Sequence, residues 1–228
     1  MKNILLLLII LTAGCLRAGE PSGNIKPVVF DFNDSKKFAA RWLIRRTALH
    51  VPKSSYKVAD CEGARDGKAL VVECRKSSGI ALISPPELDL KKTPVMRWRW
   101  RIISPVVLKG AKEPDDQACS IYVCDGNTLR QFTVSYRWEI LPDVGSVKLK
   151  RYSGGAVTVY GVCMRNQHTP CGEWVEEERD ILLDFHKLFK RDVMNRFAIG
   201  IAGNSQYTKS NTRVEIDYIE FHPRKTTK

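Results

Sequence analysis

A strict alternation of apolar and charged side chains marks residues 95–103, which read V-M-R-W-R-W-R-I-I. The apolar set and the arginine set occupy opposite parities: Met96, Trp98, Trp100 and Ile102 against Arg97, Arg99 and Arg101. Successive side chains of an extended strand point to opposite faces, whereas a helix would mix the two sets. The pattern therefore predicts a half-buried strand at the centre of an antiparallel sheet, with both tryptophans in the core and an arginine row on the outer face.

Alternation of the same kind recurs along the chain in about a dozen short segments separated by turn residues. The D-G-N turn at 125–127 joins two of them, 118–124 and 130–140, as a hairpin. Helical spacing marks one further segment, through Leu182, Phe185, Leu188 and Phe189. The sequence therefore predicts an all-β protein, an antiparallel jelly-roll β-sandwich with one short helix near residues 182–190.

The N-terminus has the pattern of an export signal. It reads M-K-N-I-L-L-L-L-I-I-L-T-A-G-C, with one lysine, an apolar run too short to cross a bilayer, and then small residues. We predict a signal peptide over residues 1–18 and a flexible tether over 19–27. A single β-sandwich domain over 28–223 and a basic tail over 224–228 complete the chain.

The segment before Cys15, T-A-G-C, resembles the lipobox of bacterial lipoproteins, whose cysteine is diacylated and becomes the new N-terminus. That resemblance implies lipidation of Cys15, and Leu16 after it favours the outer membrane. Cleavage after Ala13 or Ala18 is the alternative, and it would release a periplasmic protein instead. Both routes predict export, with the membrane anchor left open.

Six cysteines follow Cys15, an even number that suits the oxidising space outside the cytoplasm. Cys61 and Cys74 flank one turn-rich segment, and Cys163 and Cys171 flank another, so these four are our disulfide candidates, with connectivity open. The sequence has no C-x-x-C pair or close Cys/His cluster, which argues against a zinc site.

The chain is strongly basic, with 37 Lys and Arg against 25 Asp and Glu and a formal charge of +12. A basic exported protein is expected to associate with anionic partners such as phospholipid headgroups, lipopolysaccharide or acidic polysaccharide. Nucleic acid is also an anionic partner for a basic protein, but the export signal argues against it. Membrane anchoring would come through a lipid on Cys15.

The order of motifs resembles an uncharacterised bacterial family, the domain of unknown function 3047, over roughly residues 28 to 223. The motifs are W-R-W near Trp98, the pair Asp115-Asp116 before S-I-Y-V, F-T-V-S-Y-R-W ending at Trp138, W-V-E-E-E-R-D-I-L-L-D-F-H-K-L-F from Trp174, F-A-I-G-I-A-G-N-S and V-E-I-D-Y-I-E-F. The resemblance implies an exported protein similar in outline to the jelly rolls of carbohydrate-binding modules. It implies no established reaction.

Two groups of charged residues are candidate ligand contacts. Arg97, Arg99 and Arg101 can each bind a carboxylate, sulfate or phosphate in a bidentate manner. Alternatively, they pair across the sheet with acidic residues, for which the candidates are Glu176, Glu178, Glu215 and Asp217. The loop carboxylates Asp115 and Asp116 would neutralise the arginines, cap a turn, or bind calcium.

Catalytic signatures of the G-x-S-x-G, H-E-x-x-H and P-loop types do not occur in the sequence. We therefore predict a non-catalytic binding module for a glycan or another anionic envelope component, with no cofactor other than, as an alternative, calcium. The predicted ligand-binding residues are Arg97, Arg99, Arg101, Asp115 and Asp116. Two alternatives stay open: a glycoside hydrolase or polysaccharide lyase with Asp115, Asp116 and Glu139 as acid/base candidates, and a structural envelope scaffold.

Overall fold

The computed structural model describes residues 25–108, 110, 115–127, 129–193 and 197–225. The described strands are, in chain order, β1 (Val28–Asp31), β2 (Leu43–Arg45), β3 (Ser55–Asp60), β4 (Lys68–Arg75), β5 (Ser78–Ile83), β6 (Val95–Ser104), β7 (Gln117–Gly126), β8 (Gln131–Trp138), β9 (Val147–Tyr152), β10 (Val157–Arg165), β11 (Val175–Asp180), β12 (Phe197–Asn204) and β13 (Asn211–His222). Two α-helices, α1 (Ser35–Arg41) and α2 (Ile181–Phe189), and a 3₁₀ turn (Ser153–Gly155) accompany them. Signal processing and Cys15 fall outside the described residues.

The strands form two sheets that pack face to face as a jelly-roll β-sandwich, which confirms the predicted fold class. The first sheet has the order β11-β6-β13-β4-β3, with β1 also paired to β13. The second sheet has the order β2-β5-β12-β7-β8-β10-β9. Their apolar inner faces share one core, as expected for strands that alternate along their length.

The strand β6 lies inside the first sheet between β11 and β13, as its alternation predicts. Its four apolar side chains are buried, while the arginines point outward. Trp98 packs on Tyr136 of the second sheet with ring centroids 5.3 Å apart, and Trp100 packs on Trp138 at 5.5 Å. These aromatic contacts join the two sheets at the centre of the sandwich, so the tryptophans belong to the core.

One strand pair departs from the antiparallel expectation. β10 runs parallel to β8, whereas β9 is antiparallel to β10. The chain leaves β8, passes to the sheet edge as β9, and turns back so that β10 lies between the two. Because β9 returns along the sheet edge and β10 is antiparallel to β9, β10 runs in the same direction as β8. The alternation pattern alone does not reveal this direction.

The helix α2 matches the predicted helix near residues 182–190. The Asp180 side chain accepts a hydrogen bond from the Leu183 N–H and caps the first turn. Ile181 and Phe185 are buried, and Lys190 adopts the left-handed conformation that ends the helix. No helix of the described residues is long and apolar enough to span a membrane.

The proposed disulfides are not present: all six described cysteines are free thiols. Cys74 faces the shared core from β4, whereas Cys61 packs in a small cluster on the outer face of the same sheet with Ala69 and Val71. The sheet itself therefore separates this candidate pair. Cys163 is buried in β10, whereas Cys171 is exposed in the loop before β11. Spacing along the sequence did not show on which face each thiol lies.

Candidate functional site

A groove of about 320 Å³ occupies the outer face of the second sheet. Its lining includes residues 47–49 and 51 after β2, at one edge of the sheet, and Tyr152 at the end of β9, at the other edge. The intervening strands β5, β12, β7, β8 and β10 form its floor. One groove therefore crosses the seven-stranded sheet from edge to edge, and loop residues such as Gln206 contribute to its rim.

Short side chains make the floor low. Thr133 and Ala202 have their side chains on the groove side of the sheet, and each places little volume above the strands. Gly79 and Gly203 line the groove with backbone atoms, because a side chain at either position would point toward Ser54 or Cys74 instead. Larger side chains rise around them, including Tyr207, which is 44% exposed. The groove volume falls within the range of about 300–1,000 Å³ typical of small-molecule sites. The arrangement suits an elongated ligand that lies across the strands.

A buried arginine lies in the floor. Arg137 of β8 is only 2% exposed, and Gly161 of β10 lies beside it. A Cβ atom at Gly161 would lie 2.8 Å from Arg137 Nε, so the glycine provides the space that the guanidinium fills. Arg137 Nη1 is 3.3 Å from a Glu139 carboxylate oxygen and 3.5 Å from one of Asp115. Burial lowers the pKa of Arg137, but its anionic neighbours raise it by more, so the group stays charged.

Asp115 is the centre of a hydrogen-bond network at one end of the groove. Its carboxylate is 2.5 Å from Lys150 Nζ and accepts a 2.9 Å hydrogen bond from the Tyr152 hydroxyl. Its backbone carbonyl accepts hydrogen bonds from the side-chain amides of Gln117, at 2.6 Å, and Asn204, at 2.8 Å. Burial, followed by the negative charge of Asp115, raises the pKa of Tyr152 well above its usual value. Tyr152 therefore stays neutral and donates to the carboxylate.

The neighbouring Asp116 has a different role. Its carboxylate is buried and accepts hydrogen bonds from the backbone N–H groups of Tyr207 and Thr208 and from the Thr208 hydroxyl. These contacts hold the turn that follows β12, so Asp116 acts as the turn cap that we named among its alternatives. In the described part of the chain, no cluster of three or more His, Cys, Asp or Glu side chains could hold a metal ion.

The arginine row lies on the other side of the molecule, on the outer face of the first sheet. Each arginine has its own carboxylate partner: Arg97 with Glu178 at 2.5 Å, Arg99 with Asp217 at 2.8 Å and Arg101 with Glu215 at 2.7 Å. All three partners are among the cross-strand candidates named from the sequence. The pairing with Asp115 and Asp116 does not occur, because those residues belong to the opposite face of the sandwich.

A tryptophan covers part of the row. The Trp174 ring lies 4.8 Å from the guanidinium carbon of Arg99 and 4.5 Å from that of Arg101. The β13 strand contains a bulge at Asp217, which accepts two hydrogen bonds from the Arg65 backbone N–H in addition to its contact with Arg99. Trp174 thus lies against one face of these two guanidinium groups, and carboxylates contact their N–H edges.

Sequence reasoning named Asp115 as a candidate ligand contact beside the arginine row, and the structure places it in the lining of the groove. Most of the other side chains of the groove were not named. Arg137 follows Thr133 and Ser135 on the polar parity of β8, which was the available signal. The small residues of β12 and the tyrosines at the groove edges have no signal in a single sequence. They come together only because the strand order of the second sheet places β12 beside β7 and the end of β9 beside β10.

Comparisons with known proteins give one family. A family model described as "Protein of unknown function (DUF3047)" matches residues 40–220. None of the curated proteins compared with the chain matches it.

Several solved structures are similar in outline. A family 11 carbohydrate-binding module from Clostridium thermocellum, in complex with a β-1,3-1,4-mixed-linked tetrasaccharide, has 9% identity and a TM-score of 0.48 over 90% of this chain and all of its own. Winged bean acidic lectin has 11% identity and a TM-score of 0.46, over 88% of this chain and all of its own. Endoglucanase 3 of Trichoderma harzianum has 9% identity and a TM-score of 0.42, over 90% of this chain and all of its own. No functional conclusion follows from similarity at this level.

Proposed function

The chain belongs to the DUF3047 family of proteins of unknown function, and we propose that it is a non-catalytic module that binds a glycan in the groove of its second sheet. The observation that supports the proposal is the groove itself, which is concave, open and lined by short, amide-bearing and aromatic side chains. The flat, fully paired arginine face offers no comparable space. This proposal replaces the arginine row with the groove as the binding site.

The lining suits the surface of a sugar ring. A pyranose presents hydroxyl groups around its edge and apolar C–H faces, so it needs both hydrogen-bonding groups and aromatic surface. Gln117, Asn204 and Gln206 supply amide groups, and Tyr122 and Tyr207 supply rings. The Gln117 and Asn204 amides already donate to the Asp115 backbone carbonyl, which fixes their orientation at the groove before a ligand binds.

The charges of the groove favour a neutral glycan over an anionic one. Asp115 and Arg137 are the charged residues of the described lining, and each already has an oppositely charged partner. An anionic ligand would therefore meet no unpaired cation there and would have to compete with Asp115 for Lys150 or with Glu139 for Arg137. A neutral sugar can accept the remaining hydrogen bonds without breaking an ion pair.

The carboxylates supply the reason for a non-catalytic role. A glycosidase places two carboxyl groups on either side of the scissile bond, with one of them protonated. Asp116 accepts hydrogen bonds from the turn after β12, Asp115 is ion-paired with Lys150, and Glu139 is ion-paired with Arg137. Asp115 and Glu139 do share Arg137 Nη1, which keeps a hydrolase as the second candidate, to be tested in the same experiment.

The test is a glycan array probed with the full chain, using neutral and uronate-containing oligosaccharides. Replacement of the groove residues by Tyr207→Ala with Gln206→Ala should weaken binding to the neutral set by about tenfold, equivalent to ~1.4 kcal/mol. The matched control, Arg97→Gln on the opposite face, should bind as the wild type does. Unchanged binding by the groove variant, or loss in the control, would exclude the groove. Release of shorter oligosaccharides that stops in Asp115→Asn would instead establish a hydrolase.

We also propose that the protein is exported and anchored through Cys15. The apolar run before this cysteine and the small residues at positions 13 and 14 support the proposal. Mass spectrometry of the mature N-terminus checks it, since diacylation adds a mass that simple cleavage does not. A Cys15→Ser variant should then be recovered without the added mass.

A further inference from the structure

A cluster of exposed apolar side chains surrounds a cleft at the edge of the sandwich, away from the groove. The cleft has a volume of about 290 Å³ and lies between α2, β9, β10 and the loop joining β8 to β9. Val144 and Val147 line it, and the elements that border it also carry Leu141, Leu149 and Leu183; all five side chains are between 38% and 59% exposed. We call these five residues together with the cleft the edge surface.

The edge surface exists because β9 extends beyond the core. Val147 lies opposite Val162 and Leu149 opposite Tyr160, both of which point to the inner side of the second sheet. Tyr160 packs against Phe189 of α2 with ring centroids 4.9 Å apart. Val147 and Leu149 point to the same side yet stay exposed, at 46% and 38%, so no element of the described residues covers this side of β9. An uncovered apolar cluster of this kind marks an interaction surface.

The charge around the edge surface is positive. Arg151 is exposed on the same side of β9 as Val147 and Leu149, and Lys187 is exposed at the cleft on the helix face that also carries Leu183, one turn earlier. Lys148 has the parity of Lys150 and faces the groove side, and the loop between Leu141 and Val144 carries one exposed carboxylate, Asp143. The carboxylates that line the cleft are already neutralised, Glu177 by Arg165 at 2.6 Å and Asp184 by Arg179 at 2.5 Å. Arg151 and Lys187 have no ion-pair partner among the described residues, and cations beside exposed apolar groups are complementary to an anionic lipid surface, in which headgroups meet the cations and acyl chains meet the apolar groups.

We propose that the edge surface docks the protein on an anionic lipid bilayer. Lysines on the exposed edge of β9, Lys148 and Lys150, disfavour the alternative in which a second strand pairs with it. The two sides of β9 have different neighbours: Lys150 reaches Asp115 in the groove, while Val147 and Leu149 face the other way. A protein held on a bilayer through its edge surface therefore keeps the groove open. The proposal is independent of what the groove binds.

Vesicle co-sedimentation tests this surface, with full chain carrying Cys15→Ser so that no lipid anchor contributes. Phosphatidylcholine vesicles containing phosphatidylglycerol should bind the protein, and pure phosphatidylcholine vesicles should bind it far less. Removing two cations by Arg151→Gln with Lys187→Gln should weaken binding by more than ~10-fold. The matched control removes two exposed cations elsewhere: Lys36→Gln and Lys57→Gln. It should stay within about twofold of the parent protein.

An apolar variant tests the second half of the proposal. Val144→Asp with Leu149→Asp should also reduce binding by more than ~10-fold, because it places carboxylates where acyl chains would lie. Equal losses in the edge and control charge variants would overturn the proposal in favour of net charge alone. So would unchanged binding in the apolar variant, or equal binding to both kinds of vesicle. A dimer in solution that becomes monomeric in the apolar variant would overturn it by assigning the surface to a second copy of the chain.

Discussion

The two outer faces of the sandwich are built from similar charged residues but differ in what they leave open. On the first sheet, Arg97, Arg99 and Arg101 lie extended over the strands, each paired with a carboxylate. On the second sheet, one arginine, Arg137, is sunk into the floor with its carboxylates beside it, and a groove remains above. Ion pairing satisfies the charges on both faces, so charge does not distinguish them.

Side-chain volume does distinguish the two faces. Rows of Arg and Glu with Trp174 fill the first face, whereas Gly161 and Ala202 leave the second face low enough to accommodate both a buried guanidinium and an empty groove. The comparison shows that the arginines of the row form ion pairs with carboxylates of the neighbouring strands. The functional candidate is the face where small residues alternate with polar ones.

The largest expected difference between the faces is in stability. Arg137→Met leaves the carboxylates of Asp115 and Glu139 without their buried partner, and we expect it to lower the free energy of unfolding by about 3–5 kcal/mol. Arg97→Met removes an exposed pair, with Arg97 36% and Glu178 55% exposed, and should cost no more than about 1 kcal/mol. Urea unfolding of both variants measures the contrast. Equal costs would show that burial does not separate the two faces.

A smaller effect is expected from filling the space next to the buried arginine. Gly161→Ala places a methyl group 2.8 Å from Arg137 Nε and should destabilise the protein by about 1–3 kcal/mol through overpacking. In an Arg137→Ala background the same substitution meets no guanidinium and should be nearly neutral. A double-mutant cycle from urea unfolding gives the coupling between the two positions. Additive effects would mean that the glycine is there for another reason.

The smallest expected effect is a difference in pH dependence. Burial raises the pKa of Glu215 on the first face, but hydrogen bonds from Arg213 and Arg101 lower it by more, leaving it below 4.5. A lowered folded-state pKa contributes stability that is present above the unfolded value and is lost as pH falls through the folded value. On the second face, burial and Asp115 raise the pKa of Tyr152 above 10.0. Its contribution is present below pH 10 and is lost as the pH rises further.

Stability measured against pH therefore separates the two faces. Glu215→Gln should flatten the acid limb alone, and Tyr152→Phe the alkaline limb alone. Urea midpoints measured across the pH range, with wild type and both variants side by side, test this difference. If each variant changed both limbs, the two networks would be coupled through the core, contrary to the separation described above.

Sequence periodicity was sufficient for most of the fold. The parity of β6 placed both tryptophans in the core, and the D-G-N turn placed β7 and β8 as antiparallel neighbours. The spacing of apolar residues placed α2. Parity could not show that β10 inserts between β8 and β9, because alternation is the same in parallel and antiparallel strands.

The candidate site was less predictable. Asp115 was named, but with the arginine row as its partner, because the two are neighbours along the chain. Its actual contacts come from Arg137, Lys150, Tyr152 and Asn204. Those residues are 22 to 89 positions away in sequence, so no local pattern connects them.

The sequence by itself determined which side of each strand faces the core, because the energy of burying apolar side chains depends on strand parity. It also narrowed the cross-strand partners of the three arginines to a short set of acidic residues. The tertiary structure alone decided which outer face is filled and which holds the groove. The groove depends on how seven strands from distant parts of the chain pair side by side, and on where small residues such as Gly161 and Ala202 lie among them.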